Sequence, residues 1–301
     1  MKPFAYLRAS DVDAAVAEAA AEPGAAFVAG ATELANWMKD GIQSPTHVVD
    51  INALPLSEII MHADGLRLGA LAQIRNVGTI GGNLLQRTRC PYFRYTPFPC
   101  NKRIPGAGCA ALSGEHRWHA IFGASDQCIA VHPSDLAVAL FALDAIIHTR
   151  GPGGERAIPI DKLYLAPAGT PDRETVLEHG ELIVGVVIPA APFAARSHYL
   201  KVRERESYEF ALVSVATCIE LAGPDDRVRA ARVVLGGVAY KPWRALAAEH
   251  ALLDKPLTAE TIAGAGAAAI REAEPLRDNA FKVPLAERAV VRALTTLGGR
   301  P

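Results

Sequence analysis

The chain has 301 residues, half of them hydrophobic, and a formal net charge of -1. That length and composition can bury a core large enough for two domains and exclude a disordered tail. A nearly neutral chain without a long Lys/Arg run gives no electrostatic reason to bind nucleic acid or an anionic membrane, so small molecules and proteins are the expected partners.

Met1 to Ser10 carries neither an apolar h-region nor a twin-arginine pair, so the chain is expected to have no export signal of its own, although export with a partner stays open. Ser10 and Asp13 suit the N-cap and N3 positions of a helix that runs to Ala21 and stops at Pro23-Gly24. A strand Ala26–Ala29, the turn Gly30-Ala31-Thr32-Glu33, a helix Leu34–Lys39 closed by Gly41 and a strand His47–Ile51 then form a β-turn-α-β unit. A glycine turn feeding a helix presents unpaired N–H groups and the positive end of the helix dipole, which suits a phosphate, and Thr32 adds a hydroxyl. Glycine also serves ordinary strand-to-helix turns, so this turn alone leaves phosphate binding open. A strand Leu66–Leu71 leads into Ile74-Arg75-Asn76 and a second glycine turn, Thr79-Ile80-Gly81-Gly82-Asn83, where backbone can approach a ligand closely.

Cys90, Cys100, Cys109 and Cys128 follow, four of the chain's five cysteines, separated by nine, eight and eighteen residues. The chain is too large to need disulfide staples, so metal or cluster ligation is the leading reading. Pro91, Pro97, Pro99 and Pro105 forbid a continuous helix or central strand, so something else must order the segment. No tight cysteine pair of the zinc type occurs, which favours an iron-sulfur cluster, although spacing leaves the cluster type open. Gly106 to Ala111 mimics a dinucleotide fingerprint but follows Pro105 rather than a strand, so its glycines are expected to bend the chain around the metal centre. His116, His119 and His132 lie nearby and are expected to be solvated rather than ligands.

Ser134 and Asp135 open an amphipathic helix, either as a plain cap or with the carboxylate accepting hydrogen bonds from cofactor hydroxyls. A strand Ala145–Arg150 turns at Gly151–Gly154, a strand Glu181–Ile188 follows, and Pro189–Pro192 is the best linker. The apolar run from Ala137 to Ile147 is broken by Asp144 and falls short of the roughly 20 residues of a bilayer span, so no membrane span is expected. The second half is expected to form a three-stranded sheet, Tyr199–Arg203, Phe210–Leu221 and Val228–Val238, backed by helices near Arg244–Leu253, Ala259–Glu274 and Pro284–Leu297. Cys218 should be core, and Lys201, Arg203 and Arg205 either a strand edge or the lining of a cleft between domains. It offers no defensible Ser/His/Asp or paired-carboxylate constellation.

Phe27-Val28-Ala29-Gly30-Ala31-Thr32-Glu33-Leu34, Arg75-Asn76 with Thr79-Ile80-Gly81-Gly82-Asn83, and Lys201-Val202-Arg203 with Ser207-Tyr208 resemble the FAD-binding medium subunits of molybdenum hydroxylases, the xanthine and carbon monoxide dehydrogenase relatives. The run Asn83 to Phe93, with Pro99 to Arg103 and Gly108 to Ala111, resembles the branch with an additional 4Fe-4S cluster, closest to bacterial aldehyde oxidoreductases. The resemblance implies an α+β fold, with a two-part FAD-binding domain of the PCMH type over residues 1–190, an iron-sulfur insert at about 87–130, and a C-terminal domain over 193–301. It implies that Ala26, Phe27, Val28, Ala29, Gly30, Ala31, Thr32, Glu33 and Leu34, with Thr79, Gly82 and Asn83, hold the FAD pyrophosphate. Ser134 and Asp135 would meet the ribose or ribitol hydroxyls, Ile183 and Lys201 would face the flavin side of the cleft, and Cys90, Cys100, Cys109 and Cys128 would ligate the cluster.

The same resemblance implies a heterotrimer with a molybdopterin-containing large subunit and a 2Fe-2S small subunit, with electrons leaving through the flavin to an external acceptor. It places the complex in the cytoplasm, or in the periplasm by export with a signal-bearing partner. Two departures stand out. Ala31 replaces a glycine common in the first loop, and Leu66–Gln73 runs almost straight into Ile74, where relatives have a helical stretch. The alternatives are a scaffold subunit that has lost FAD through that shortening, or a stand-alone flavoenzyme.

Overall fold

The computed structural model describes residues 1–223 and 226–298. In its first part, β1 (Ala5–Arg8), α1 (Val12–Ala21), β2 (Ala25–Val28), α2 (Leu34–Lys39) and β3 (His47–Asp50) build a parallel sheet in the order β1-β3-β2. The cap of α1 is Asp11 rather than the expected Ser10. The Asp11 carboxylate accepts from Ala14 N–H at 2.8 Å, while the Ser10 hydroxyl donates to Asp11. A charged acceptor displaces a neutral one at a helix N-terminus. Ala15, Val16 and Ala19 of α1 pack on Val49 and Ile51 of the adjoining β3 segment.

The chain continues through β4 (Ile59–His62), β5 (Gly65–Gly69), the two-residue strands β6 (Gln73–Ile74) and β7 (Gly78–Thr79), and α3 (Ile80–Leu84). After α4 (Pro91–Arg94) come α5 (Asp135–Ala142), β8 (Ile146–Gly151), β9 (Gly154–Pro159), α6 (Ile160–Leu163) and β10 (Leu182–Pro189). An antiparallel sheet results, in the order β4-β5-β10-β8-β9. Strand β4 is not among the expected elements. Ile59, Ile60 and Met61 are all exposed there, so this edge strand has none of the burial alternation that marks a strand. Between β5 and α3, β6 and β7 close a short hairpin, with Arg75 at φ 65° in the left-handed region.

The last part holds β11 (Ser197–Val202), β12 (Val213–Ala222), β13 (Arg227–Gly236), β14 (Trp243–Arg244), α7 (Leu246–Leu252), α8 (Ala259–Ala269) and α9 (Lys282–Gly298). The expected three-stranded sheet is in fact four-stranded, because β14 pairs Leu235 with Trp243 and Val234 with Arg244. Two residues are too few to show a period of two. Along α9, Ala286, Ala289, Val290, Ala293 and Leu294 are buried at helical spacing against Val213, Val215 and Leu235 of the sheet. Pro284 lies in its first turn, where a missing N–H breaks no helical bond.

Residues from α5, Val138 and Phe141, share a core with Ala216 and Val234 of this sheet. The approach is close enough that a Cβ on Gly236 would stand 2.5 Å from Val138 Cγ2. The N-terminus of α5 therefore faces both halves of the chain. Among the described residues no helix is long and apolar enough to cross a membrane.

Candidate functional site: two glycine loops and a cysteine cavity

The turns after β2 and β7 meet backbone to backbone. A Cβ on Gly30 would lie 1.6 Å from the Val77 carbonyl oxygen, so only glycine allows the contact. Asn52 ties the first loop to β3, its Nδ2 donating to Ala29 O at 3.1 Å and to Asp50 Oδ1 at 2.7 Å. Ala31 sits at φ 57°, a left-handed conformation that costs an alanine roughly 1–2 kcal/mol. In the second loop Thr79 Oγ1 accepts from Gly82 N–H at 3.2 Å and caps α3.

Together these loops enclose a cavity of about 470 Å³ lined by Ala26 to Leu34, Val77 to Thr79, Gly82, Asn83, Gln86 and Arg89. At α3 the N–H groups of Ile80, Gly81 and Gly82 already donate, to Ala72 O, Ala70 O and Thr79 Oγ1, so among the described residues the open donors are those of the first loop, Gly30 to Glu33. Backbone donors beside a glycine fit the diphosphate of a dinucleotide, and a Cβ on Gly30 would push the two loops apart. Val77, Gly78 and Arg89 are lining residues absent from the sequence analysis. They follow from the short β6–β7 hairpin and from the fold of the cysteine segment, which the sequence pattern does not show.

The remaining expected cofactor residues divide. Ser134 caps α5 by accepting from Ala137 N–H at 2.9 Å and donates to Asn83 Oδ1 at 2.6 Å, so the second glycine loop is bonded to the start of α5. The Asp135 carboxylate accepts from Tyr199 OH at 2.8 Å and Lys201 Nζ at 2.7 Å, clasping β11 from across the cleft. Burial, reinforced by Asp135, pushes the Tyr199 hydroxyl well above its ordinary range. Ile183 is 3% exposed and packs beneath Gly81, so it supports the loop from below instead of lining the cavity. Glu33 turns toward the cysteine segment, paired with Arg89 and, at 3.4 Å, with Arg94.

Cys90 precedes α4, Cys100 and Cys109 form an antiparallel bridge, and Gly106 and Gly108 have φ of 82° and 95°, which lets the chain fold back between them. All four cysteines, free thiols, line one cavity of about 10 Å³ with Phe93, Ala111, Ile129 and His119. Burial pushes the Cys90 thiol up to about 12 and raises Cys128 despite nearby Lys102. Among the described residues no three His, Cys, Asp or Glu side chains are gathered closely enough to hold a single metal ion. A four-iron cluster is larger than an ion and spreads its thiolates wider. The four-sulfur donor set is the chemistry such a cluster takes.

Polar side chains rather than ladders hold this segment. Arg103 Nη1 donates to the carbonyls of Tyr92 and Phe93, both at 2.6 Å, and Nη2 to those of Thr96 and Phe98. Lys102 Nζ reaches Glu174 at 3.1 Å, and Arg87 pairs with the same carboxylate. Although burial works to raise it, those two cations hold Glu174 below the ordinary carboxylate range. The histidines differ from expectation. His116 and His119 are 4% and 2% exposed rather than solvated, because Asp278 N–H donates to His116 Nδ1 at 3.3 Å, while Asn279, just before α9, and Lys282, its first residue, hold the His119 carbonyl.

A family model described as the FAD binding domain in molybdopterin dehydrogenase matches residues 2–73 and 70–191, and one described as the CO dehydrogenase flavoprotein C-terminal domain matches 198–297. The aldehyde oxidoreductase FAD-binding subunit of Escherichia coli K12 is 44% identical, with 98% of each chain covered. The glyceraldehyde dehydrogenase medium chain of Sulfolobus acidocaldarius is 25% identical, covering 86% of this chain and 84% of that one. A solved carbon monoxide dehydrogenase from Hydrogenophaga pseudoflava superposes with a TM-score of 0.69 at 28% identity, covering 98% and 96%.

The chain belongs to the FAD-binding medium subunits of the molybdenum hydroxylase family. It is a flavin-binding oxidoreductase subunit with a two-part FAD-binding region and a C-terminal flavoprotein region. The first model's two stretches meet at 70–73, where β5 gives way to the β6–β7 hairpin. The alignment to the Escherichia coli relative has 329 positions against 301 residues here, so 28 or more of them are gaps in this chain.

Proposed function

We propose that this chain is the electron-transfer subunit of a molybdenum-dependent aldehyde oxidoreductase. In this reading it works in a heterotrimer with a molybdopterin-containing large subunit and a 2Fe-2S small subunit, and passes electrons to an external acceptor. The meeting of Gly30 with Val77 O, which leaves a cleft of about 470 Å³ walled by both glycine loops, carries the reading. The 44% identity to an aldehyde oxidoreductase subunit supplies the substrate class of the complex.

Ala26 to Leu34 and Thr79 to Asn83 would hold the pyrophosphate of FAD, and Asp135 would exchange one of its two present partners for a cofactor hydroxyl. Lys201 would place a cation at the flavin side, with Ile183 supporting Gly81 from below. FAD held there supplies a centre that takes up electrons in pairs and releases them singly or together. Cys90, Cys100, Cys109 and Cys128 would ligate a 4Fe-4S cluster, and residues 1–190 and 193–301 would be the two domains.

The test is the absorption spectrum of the anaerobically purified complex. Flavin bands and iron-sulfur charge transfer are expected, with the flavin bleached on adding an aldehyde. Neither chromophore being present overturns the reading. The short β6–β7 hairpin favours one rival, a scaffold subunit without FAD. Stoichiometric, reducible FAD excludes it.

A further inference from the structure

The cysteine cavity contains one side chain that ligation by four thiolates leaves without a role. His119 Nε2 stands 3.1 Å from Cys90 Sγ, while its Nδ1 is buried with no hydrogen-bond partner among the described residues. A ring N–H at Nδ1 would be a buried donor with nothing to accept it. The tautomer that wastes no donor carries its proton on Nε2, aimed at sulfur. We propose that His119 is a hydrogen-bond donor to the Cys90 thiolate and sets the reduction potential of the cluster, with the start of α9 positioning it. This rests on the four-cysteine ligation proposed above.

The ring is held from both sides of its backbone. His119 N–H donates to His116 O at 3.0 Å, and His119 O accepts from Lys282 Nζ at 3.0 Å and from Asn279 Nδ2 at 3.4 Å. Ala120 is fixed in the same way, its N–H donating to Ile129 O at 2.9 Å and its carbonyl accepting from Asn279 at 3.0 Å. Lys282 and Asn279 are 1% and 0% exposed, so water does not compete for these bonds. The Tyr92 ring lies beside the imidazole at 6.4 Å between centroids. A buried ring carried on backbone fixed in this way presents its N–H to the sulfur with little reordering when the charge there changes.

Cys90 also differs from the other three cysteines in place. It borders the cavity of about 270 Å³ that His119, Ser134 and Asp135 line as well, whereas Cys128 borders a different one, beside Lys102 and Glu174. The hydrogen bond therefore acts on the sulfur facing the residues assigned to the flavin. Reduction of the cluster adds negative charge that its thiolates share. A donor at sulfur stabilises the reduced form more than the oxidised one and raises the potential.

The experiment is a redox titration of the cluster by EPR in the purified heteromeric complex, with iron, acid-labile sulfide and FAD measured on the same samples, for wild type, His119→Ala and His119→Gln. The expected result is that His119→Ala keeps its iron and FAD while its cluster titrates at lower potential. In His119→Gln, the amide donor brings the potential back toward wild type. An unchanged potential in His119→Ala with the cluster intact overturns the proposal. If His119→Ala loses its iron, His119→Gln decides. Retention near the wild-type potential supports the donor role, and loss there too overturns it by making the ring a ligand or a structural requirement. A wild-type complex without four irons on this subunit defeats the ligation itself, and that is visible before any variant is made.

Discussion

The glycine loops and the cysteine segment sit side by side, joined through Glu33, yet they are held by different forces. Each loop connects a strand to a helix close in sequence, and its shape comes from backbone geometry, as Gly30 against Val77 O and Thr79 over Gly82 show. The cysteine segment has two helical turns, Pro91–Arg94 and Ala110–Leu112, and beyond its local turns hangs on side chains that reach carbonyls, such as Arg103, and on Asn279 and Lys282 from the far end of the chain. Local backbone rules can pre-form a phosphate cradle. A segment without ladders stays ordered through long-range polar bonds and through what its thiols hold.

That contrast predicts separable losses. Gly30→Val has the largest expected effect. Its Cβ would fall 1.6 Å from a backbone carbonyl, so the two loops must part at a cost of about 3 kcal/mol. FAD should fall below detection while iron remains, measured on the same purified complex. Iron lost along with FAD would show that the cleft organises the cysteines. Cys109→Ser is the reciprocal case. Iron and sulfide should be lost and FAD retained, because Cys109 faces the cysteine cavity and does not line the flavin cleft. FAD lost with the iron would make the two regions one cooperative unit.

A smaller effect tests the joint between them. Glu33 bridges the first loop to Arg89 and to Arg94 on α4, directly after Cys90. Glu33→Gln leaves two guanidiniums facing each other without their anion, at a cost on the order of 1–2 kcal/mol, between the values for exposed and buried pairs. The thermal midpoint should fall, and iron should pass to a chelator faster than in wild type. An unchanged rate of iron release would show that the insert is held without help from the loop.

The same division decides what the sequence could reveal. The β-turn-α-β unit, the start of α5 at Ser134 and the core position of Cys218 are all set by neighbours in sequence, and each is legible as periodicity, capping or an apolar run. The residues that place His119 lie about 160 positions away, and no pattern around His119 announces a buried ring. Lys201 could be read as edge or cleft. Its bond to Asp135 emerges only once β11 is laid against α5. The exposed strand β4 and the two-residue β14 escape for the opposite reason, since each lacks the alternation by which strands are recognised.

The smallest expected effect concerns Ala31. Its φ of 57° lies where an L-residue is strained, and a glycine there would relieve roughly 1–2 kcal/mol in the folded chain. Glycine also widens the unfolded ensemble, which returns part of that gain, so Ala31→Gly should stabilise the protein by about 1 kcal/mol or less. Chemical denaturation of the complex with and without added FAD separates two origins. A gain of equal size in both conditions means the strain is a plain cost of the loop's backbone. A gain without FAD that disappears with it means that the left-handed turn is relaxed when the cofactor binds, so the first loop would be less pre-formed than its contact with Val77 implies.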